Sequence, residues 1–287
     1  MNIETIKTIS HLLKSIENKI NVIHYPGTGT GQEVILMYHG ISKRPKFNCV
    51  TANLFREQLA WLTDNYIVVP LSILIEKLSA PSPIPLKLAA ITFDDGYINF
   101  AELALPILRD YKCHATVFVP SEKAGCYNDW DRSIKGFHKM EIMSYDMIRQ
   151  LPQEFVEIGS HGLSHRPLSQ LPYNEIKREI VDSRLEIENK TGRPVHFFAF
   201  PFGVYPFRHK LQLCDAENHF MGGYNAACTT WWGRYNSLKD INTLRRVGIW
   251  DSDSFSDFID KLSGYYDWLE KKERVGRYLK IMESYLR

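Results

Sequence analysis

The segment Ile91-Thr-Phe-Asp-Asp-Gly96 ends an apolar run with two adjacent carboxylates and a glycine, and Ser160-His-Gly-Leu-Ser-His165 follows another with two imidazoles four residues apart. Side chains of consecutive residues leaving a strand diverge, so one of the carboxylates Asp94 and Asp95 can bind a cation while its neighbour holds a water beside it. The spacing of His161 and His165 predicts that both lie on one side of a helical turn, and neutral imidazole is a favoured ligand for zinc and related ions. Taken singly, each motif is also ordinary: Asp-Asp-Gly is a common strand-ending turn, and two histidines can be unrelated surface residues. Together they offer two histidines and one carboxylate, a set that leaves coordination positions open for water and a substrate oxygen. The remaining carboxylate can then serve as general base. The chemistry of such a set is metal-assisted hydrolysis.

Elements that could position these residues are visible in the hydrophobic pattern. Short apolar runs rich in β-branched and aromatic residues occur at Val34–Tyr38, Ile67–Val69, Leu88–Phe93, Ala115–Val119, Phe155–Gly159, Phe197–Phe200, Asn225–Thr229 and Leu244–Ile249, and they alternate with amphipathic stretches. Alternation of this kind predicts a parallel sheet with helices between the strands. Tyr173 to Lys190 reads as one such helix, with Ile176, Ile180, Leu185 and Ile187 as its apolar stripe and Gly192-Arg-Pro194 as its stop. Seven or eight strands suffice to close a distorted (β/α) barrel, whose chemistry sits on the loops at the C-terminal ends of the strands. His39, Asp94, Asp95, His161, Pro201 and Phe202 all follow predicted strands, which puts them at one rim.

The chain of 287 residues is long enough for one barrel domain. Residues 31–252 are read as that barrel, with an N-terminal helical extension over 1–30 and a C-terminal amphipathic helical extension over 253–287. The 35 basic and 33 acidic residues nearly cancel, so no global field points to nucleic acid. Five cysteines without a C-x-x-C pair argue against a disulfide framework or a cysteine-ligated zinc.

The two motifs identify a resemblance. The chain resembles the polysaccharide deacetylase family (the NodB homology domain, carbohydrate esterase family 4) in its T-F-D-D-G and S-H-x-x-x-H blocks, and the likeness runs in matching order from about His39 to Gly248. The resemblance implies that Asp94 is the general base, that Asp95, His161 and His165 bind one divalent ion, most often Zn2+, and that the substrate is an N-acetylated carbohydrate. Phe198-Ala-Phe-Pro-Phe-Gly203 resembles the family's F-R-x-P-Y-G block, which implies an oxyanion donor at the backbone N–H of Phe202. The chain departs from the family in two places. Ala199 stands where that block has an arginine, for which His196 is a nearby substitute, and Leu244-Arg-Arg-Val-Gly-Ile249 lacks the late histidine that usually supplies the general acid. A branch resembling the poly-N-acetylglucosamine deacetylases lacks both features and carries an early Tyr-His, as Leu36-Met-Tyr-His-Gly40 does here.

An amine leaves poorly unless it is protonated as the C–N bond breaks, and His39 on the same rim is the expected general acid. Tyr38, Pro201 and Trp231 are expected to line the substrate; Trp232 and Trp250 could also stack on sugar rings. Two other functions use the same features: deformylation or amide hydrolysis on a lipid-linked sugar or a small metabolite, and glycan binding by a barrel that has lost catalysis. The latter predicts a damaged metal set, whereas all four residues are present.

Charges at Glu4, Lys7, Lys14, Glu17 and Lys19 interrupt the apolar pattern at the start, so no secretory signal is expected and the expected location is cytoplasmic. Lys271 to Arg287 carries six basic and two acidic residues interleaved with Val275, Tyr278, Leu279, Ile281, Met282 and Leu286. A basic amphipathic helix of this kind can rest on an anionic membrane surface.

Overall fold

The computed structural model describes residues 32–79, 87–133, 137–215, 219–270 and 272–273. The expected extension over 1–30 and the basic amphipathic helix from 271 onward therefore lie outside the described residues, apart from 272–273. The chain enters through β1 (Gln32–Tyr38), β2 (Gly40–Ser42) and β3 (Cys49–Thr51), then α1 (Ala52–Asn65), β4 (Ile67–Val68) and α2 (Leu71–Ser79). It continues through β5 (Lys87–Phe93), α3 (Leu105–Asp110), β6 (Ala115–Val119), α4 (Tyr145–Gln150), β7 (Val156–Ser160) and α5 (Tyr173–Thr191). The last part holds β8 (Phe197–Ala199), α6 (Lys210–Leu213), β9 (Ala226–Trp232), β10 (Leu244–Gly248) and α7 (Phe255–Leu262).

Seven strands close a parallel barrel in the order β1, β10, β9, β8, β7, β6, β5 and back to β1. The closing seam is its longest pairing, with β1 and β5 in register from Gln32 opposite Lys87 to Tyr38 opposite Phe93. β4 pairs only with the start of β5, at Leu88 and Ala89, and stands outside the ring. β2 and β3 form a separate parallel pair. Their three-residue length explains why the hydrophobic pattern does not reveal them.

Residues on the two faces of each strand enter different clusters, as the two-residue period of a strand requires. Ile35, Ala90, Phe118, Phe197, Ala199, Ala226, Cys228 and Leu244 fill the barrel, where Leu71, Leu74 and Ile75 of α2 pack onto them. The opposite faces, including Val34, Leu36, Ile91, Phe93, Val117 and Ile158, pack against the surrounding helices. α2 is tied to the interior by Glu157, whose carboxylate accepts Ser72 N–H at 3.4 Å and Thr116 Oγ1 at 2.8 Å. A carboxylate at the first turn of α2 also meets the positive end of the helix dipole.

α5 carries Ile176, Ile180 and Ile187 on its buried face, but Leu185 is exposed and Glu179 and Ser183 are buried instead. Gly192 ends the helix in the left-handed conformation, with φ of 69°. Phe258, Leu262 and Tyr266 belong to the main core, so the chain immediately after residue 252 packs as part of the barrel domain.

Gly159 of β7 faces the interior, where a Cβ would lie 2.4 Å from the Phe118 ring and 3.1 Å from the Phe197 carbonyl oxygen. Gly159→Val is therefore expected to destabilise the protein by about 1–3 kcal/mol through overpacking, read as a lower urea midpoint.

Candidate active site and metal centre

The two aspartates part company immediately after β5. Asp94 N–H still donates to the Tyr38 carbonyl at 2.9 Å, which extends the β1–β5 ladder by one bond. Asp95 and Gly96 then take positive φ values of 69° and 63°, a conformation rare for a residue with a side chain. Asp94 faces Arg246: Nη1 donates to Oδ1 at 2.7 Å and Nη2 to Oδ2 at 2.6 Å. Asp95 faces the loop after β7, with Oδ1 3.5 Å from His161 Nε2 and 3.2 Å from His165 Nε2.

The expected helical turn between the histidines is not formed. The loop is irregular and returns through Gly162 at φ of 78° and His165 at φ of 61°. Two left-handed residues, rather than the 3.6-residue period of a helix, bring the rings together with centroids 4.8 Å apart.

Asp95, His161 and His165 offer one nitrogen or oxygen donor each, all within 4.8 Å of one another and all buried. His161 Nδ1 lies 2.8 Å from the Ala199 carbonyl, an acceptor only, so this nitrogen carries a proton and Nε2 is the atom left facing Asp95. Burial would lower the His161 imidazole, but the Asp94 and Asp95 carboxylates outweigh it and hold it above its ordinary value. The His165 ring is packed between Trp130, at 3.9 Å and nearly parallel, and Phe202, at 4.8 Å. Burial would raise the Asp95 carboxyl, but its contacts with His161 and His165 outweigh burial and hold it well below the ordinary carboxylate range. Burial holds the His165 imidazole below its ordinary value, which favours the neutral form that ligates metals. Two nitrogens and one oxygen in this arrangement fit a divalent ion of the zinc class.

The countercharge of Asp94 comes from an unexpected position. Arg246 is fully buried inside the barrel on β10, and its remaining donors reach the Thr229 carbonyl at 2.8 Å and Thr92 Oγ1 at 3.1 Å. His196 does not take this role, because it is exposed just before β8, whereas Ala199 at the other end of that strand contacts His161. The signal in the sequence is strand alternation: Arg246 shares the inward face of β10 with Leu244, so a guanidinium must enter the barrel. Burial would raise the Asp94 carboxyl, but the charge and hydrogen bonds of Arg246, with His161 and His39 adding, hold it below its usual value.

His39 follows β1 with its ring stacked on Trp250 at 5.4 Å, and its Nδ1 is buried without a partner. Phe202 sits at the rim, 45% exposed, with φ of 57°. Of the three expected substrate contacts, Tyr38 and Pro201 are buried and Trp231 is half-buried. Tyr38 points into the core, stacked on Phe93 with its hydroxyl donating to Gln58 Oε1 at 3.1 Å, because alternation along β1 turns it away from the side His39 faces. Pro201 is buried, with Cγ 3.3 Å from where a Cβ on Gly162 would lie. Trp231 stacks on Phe207 at 5.7 Å as part of an aromatic cluster with Tyr205. The aromatic rings beside the polar residues of the site are instead Trp130, Trp250 and Phe202.

Residues 83–218 match the family described as polysaccharide deacetylase. This part of the chain is a polysaccharide deacetylase domain. It contains Asp94, Asp95, His161, His165 and Phe202, whereas His39, Arg246 and Trp250 lie outside the matched residues. The chain is 28% identical over 219 residues to the polysaccharide deacetylase-type protein YxkH of Bacillus subtilis, an alignment that covers 75% of this chain and 70% of that one. It is 29% identical over 139 residues to the poly-β-1,6-N-acetyl-D-glucosamine N-deacetylase of Escherichia coli, covering 45% of this chain but 20% of that protein. Its fold is similar to that of IcaB from Ammonifex degensii, with a TM-score of 0.66 and 20% identity over 82% of this chain and 97% of that one. The deacetylase family consists of hydrolases that act on carbon–nitrogen bonds of N-acetylated carbohydrates.

The Asp94–Arg246 pair gives a stability prediction. Arg246→Met leaves a carboxylate buried without its partner, and at pH 7 the metal-free variant is expected to lose about 3–5 kcal/mol in urea unfolding. The folded pKa of Asp94 is depressed, so its contribution is full above the unfolded value of about 4 and is lost as pH falls through the folded value. The gap between wild type and variant should therefore narrow on acidification below about pH 4.

Proposed function

We propose that this protein removes N-acetyl groups from an amino sugar of a surface polysaccharide or its precursor, with a zinc-class ion held by Asp95, His161 and His165. The observation that carries this reading is the separation of two adjacent carboxylates, Asp95 among the imidazoles and Asp94 on Arg246. The likeness to a deacetylase of poly-β-1,6-N-acetyl-D-glucosamine supports an amino-sugar polymer as substrate.

Bound at the three donors, a divalent ion supplies Lewis acidity, making water a better nucleophile and an amide carbonyl a better electrophile. Asp94 is kept ionised by Arg246 and accepts a proton from the attacking water. The N–H of Phe202, on a turn fixed by the Gly203 N–H bond to the Phe200 carbonyl at 2.8 Å, donates to the oxygen that gains charge. His39 protonates the amine nitrogen as the C–N bond breaks, so the water oxygen ends in acetate and the sugar keeps a free amine. Trp250 stacks on the His39 ring and restricts its orientation.

Incubating metal-loaded protein with β-1,6-linked N-acetylglucosamine oligomers should release acetate, seen by mass spectrometry as loss of acetyl groups. A chelator should abolish turnover and zinc should restore it; undiminished activity in metal-free protein would contradict the mechanism. Asp94→Asn is expected to retain the ion while turnover falls about 10²–10⁴-fold. His39→Ala should lose more activity on the sugar amide than on an aryl acetate, whose leaving group needs no proton. Equal losses on both would remove His39 from the acid role.

A further inference from the structure

The loop that carries both histidines has neither helix nor strand to hold it, yet it must keep two rings aimed at one carboxylate. The segment after β6 holds part of its backbone, with Ser121 N–H donating to the Gly162 carbonyl at 3.0 Å and Glu122 N–H to the Leu163 carbonyl at 2.9 Å, and the rest of its support comes from side chains of α5. Glu179, 1% exposed, accepts the backbone N–H groups of Leu163 at 2.8 Å and Ser164 at 2.9 Å on Oε2. On Oε1 it accepts the Ser164 hydroxyl and the Arg166 guanidinium, the latter through Nη2 at 3.2 Å and Nε at 3.3 Å. One helical turn further along the same face, Ser183 Oγ lies 2.7 Å from Ser160 Oγ, which in turn accepts the Gly162 N–H at 3.2 Å. Every residue from Ser160 to Arg166 other than the two histidines and Gly162 is thus bonded directly to Glu179 or Ser183, and Gly162 is bonded through Ser160. A Cβ on Gly162 would lie 3.2 Å from Glu179 Oε2, so the loop backbone passes close over the carboxylate.

We propose that Glu179 is a positioning residue for the metal centre: its buried carboxylate fixes the left-handed path that lets His161 and His165 converge on Asp95. This inference rests on the reading of those three residues as metal ligands. Burying a carboxylate is costly unless its oxygens are well satisfied, and here donors converge on both oxygens. They come from the loop backbone, a loop hydroxyl and Arg166, so the satisfaction of Glu179 and the shape of the loop require each other. Partners outside the ligand set commonly govern metal affinity in this way.

Zinc affinity, measured by competition with a fluorescent chelator on the full chain, tests the proposal. Glu179→Ala is expected to weaken binding about 10–100-fold. Glu179→Gln, which keeps the shape but presents an amide N–H₂ where one oxygen accepted Arg166, should weaken it several-fold. Glu175→Gln, which removes the exposed partner 2.7 Å from Arg166, should bind as wild type. If Glu179→Ala does not fold, Glu179→Gln decides alone. A lower urea midpoint with wild-type zinc affinity in the folded Glu179 variants would reduce Glu179 to a structural residue and overturn the proposal. Absence of zinc binding in wild type would instead overturn the assignment of the ligands, so the two failures are distinguishable.

Discussion

Two carboxylates on consecutive residues can both stay ionised in a buried site only if each has its own countercharge. Sharing one would force a proton onto one of them, as close carboxylate pairs do. In this barrel the difficulty is removed by geometry. The positive φ at Asp95 turns it towards the histidine loop while Asp94 remains on the inward side, where Arg246 meets both of its oxygens. Both acids are held below their ordinary range despite complete burial. The dehydration of Arg246 is offset by Asp94, the Thr229 carbonyl and Thr92, so the mouth of the barrel is a connected polar network above an apolar interior.

The barrel is accordingly asymmetric along its axis. At one end Leu71, Leu74 and Ile75 of α2 close the interior, and Glu157 ties the start of that helix to β6 and β7. At the other, the strands end in residues that cannot be exchanged for apolar ones without removing the site. The same strands meet both demands because their side chains alternate: β10 presents Leu244 and Arg246 to the interior, one apolar and one ionic.

What is local in the chain was legible in its sequence, and what depends on distant partners was not. All seven strands of the ring were visible because each is an apolar run bounded by turn residues, and the aspartates and histidines were visible because each pair is close in sequence. The helical turn expected for His161 and His165 fails because two left-handed residues break it. Arg246 escaped notice because its partner lies 152 residues earlier, and a lone arginine in a strand looks like a solvent-facing one until the barrel is closed. Residue type alone suggests a substrate contact for Tyr38, whereas the pleat of β1 turns its ring into the core, onto Phe93. Trp130 showed no periodic or motif signal, because it reaches His165 from an irregular stretch.

The seam between β1 and β5 also decides where this protein can be divided. The two strands are paired along their whole length, and the bond from Asp94 N–H to the Tyr38 carbonyl sets Asp94 beside the residue that precedes His39. A fragment trimmed to the matched residues 83–218 would keep Asp95, His161 and His165 but discard β1, β9 and β10. It would lose three of the seven staves of the barrel, and with them both His39 and the only guanidinium bonded to Asp94 among the described residues. The matched middle of the chain is therefore not a separable module: cutting there would open the barrel to water and part Asp94 from Arg246 and His39.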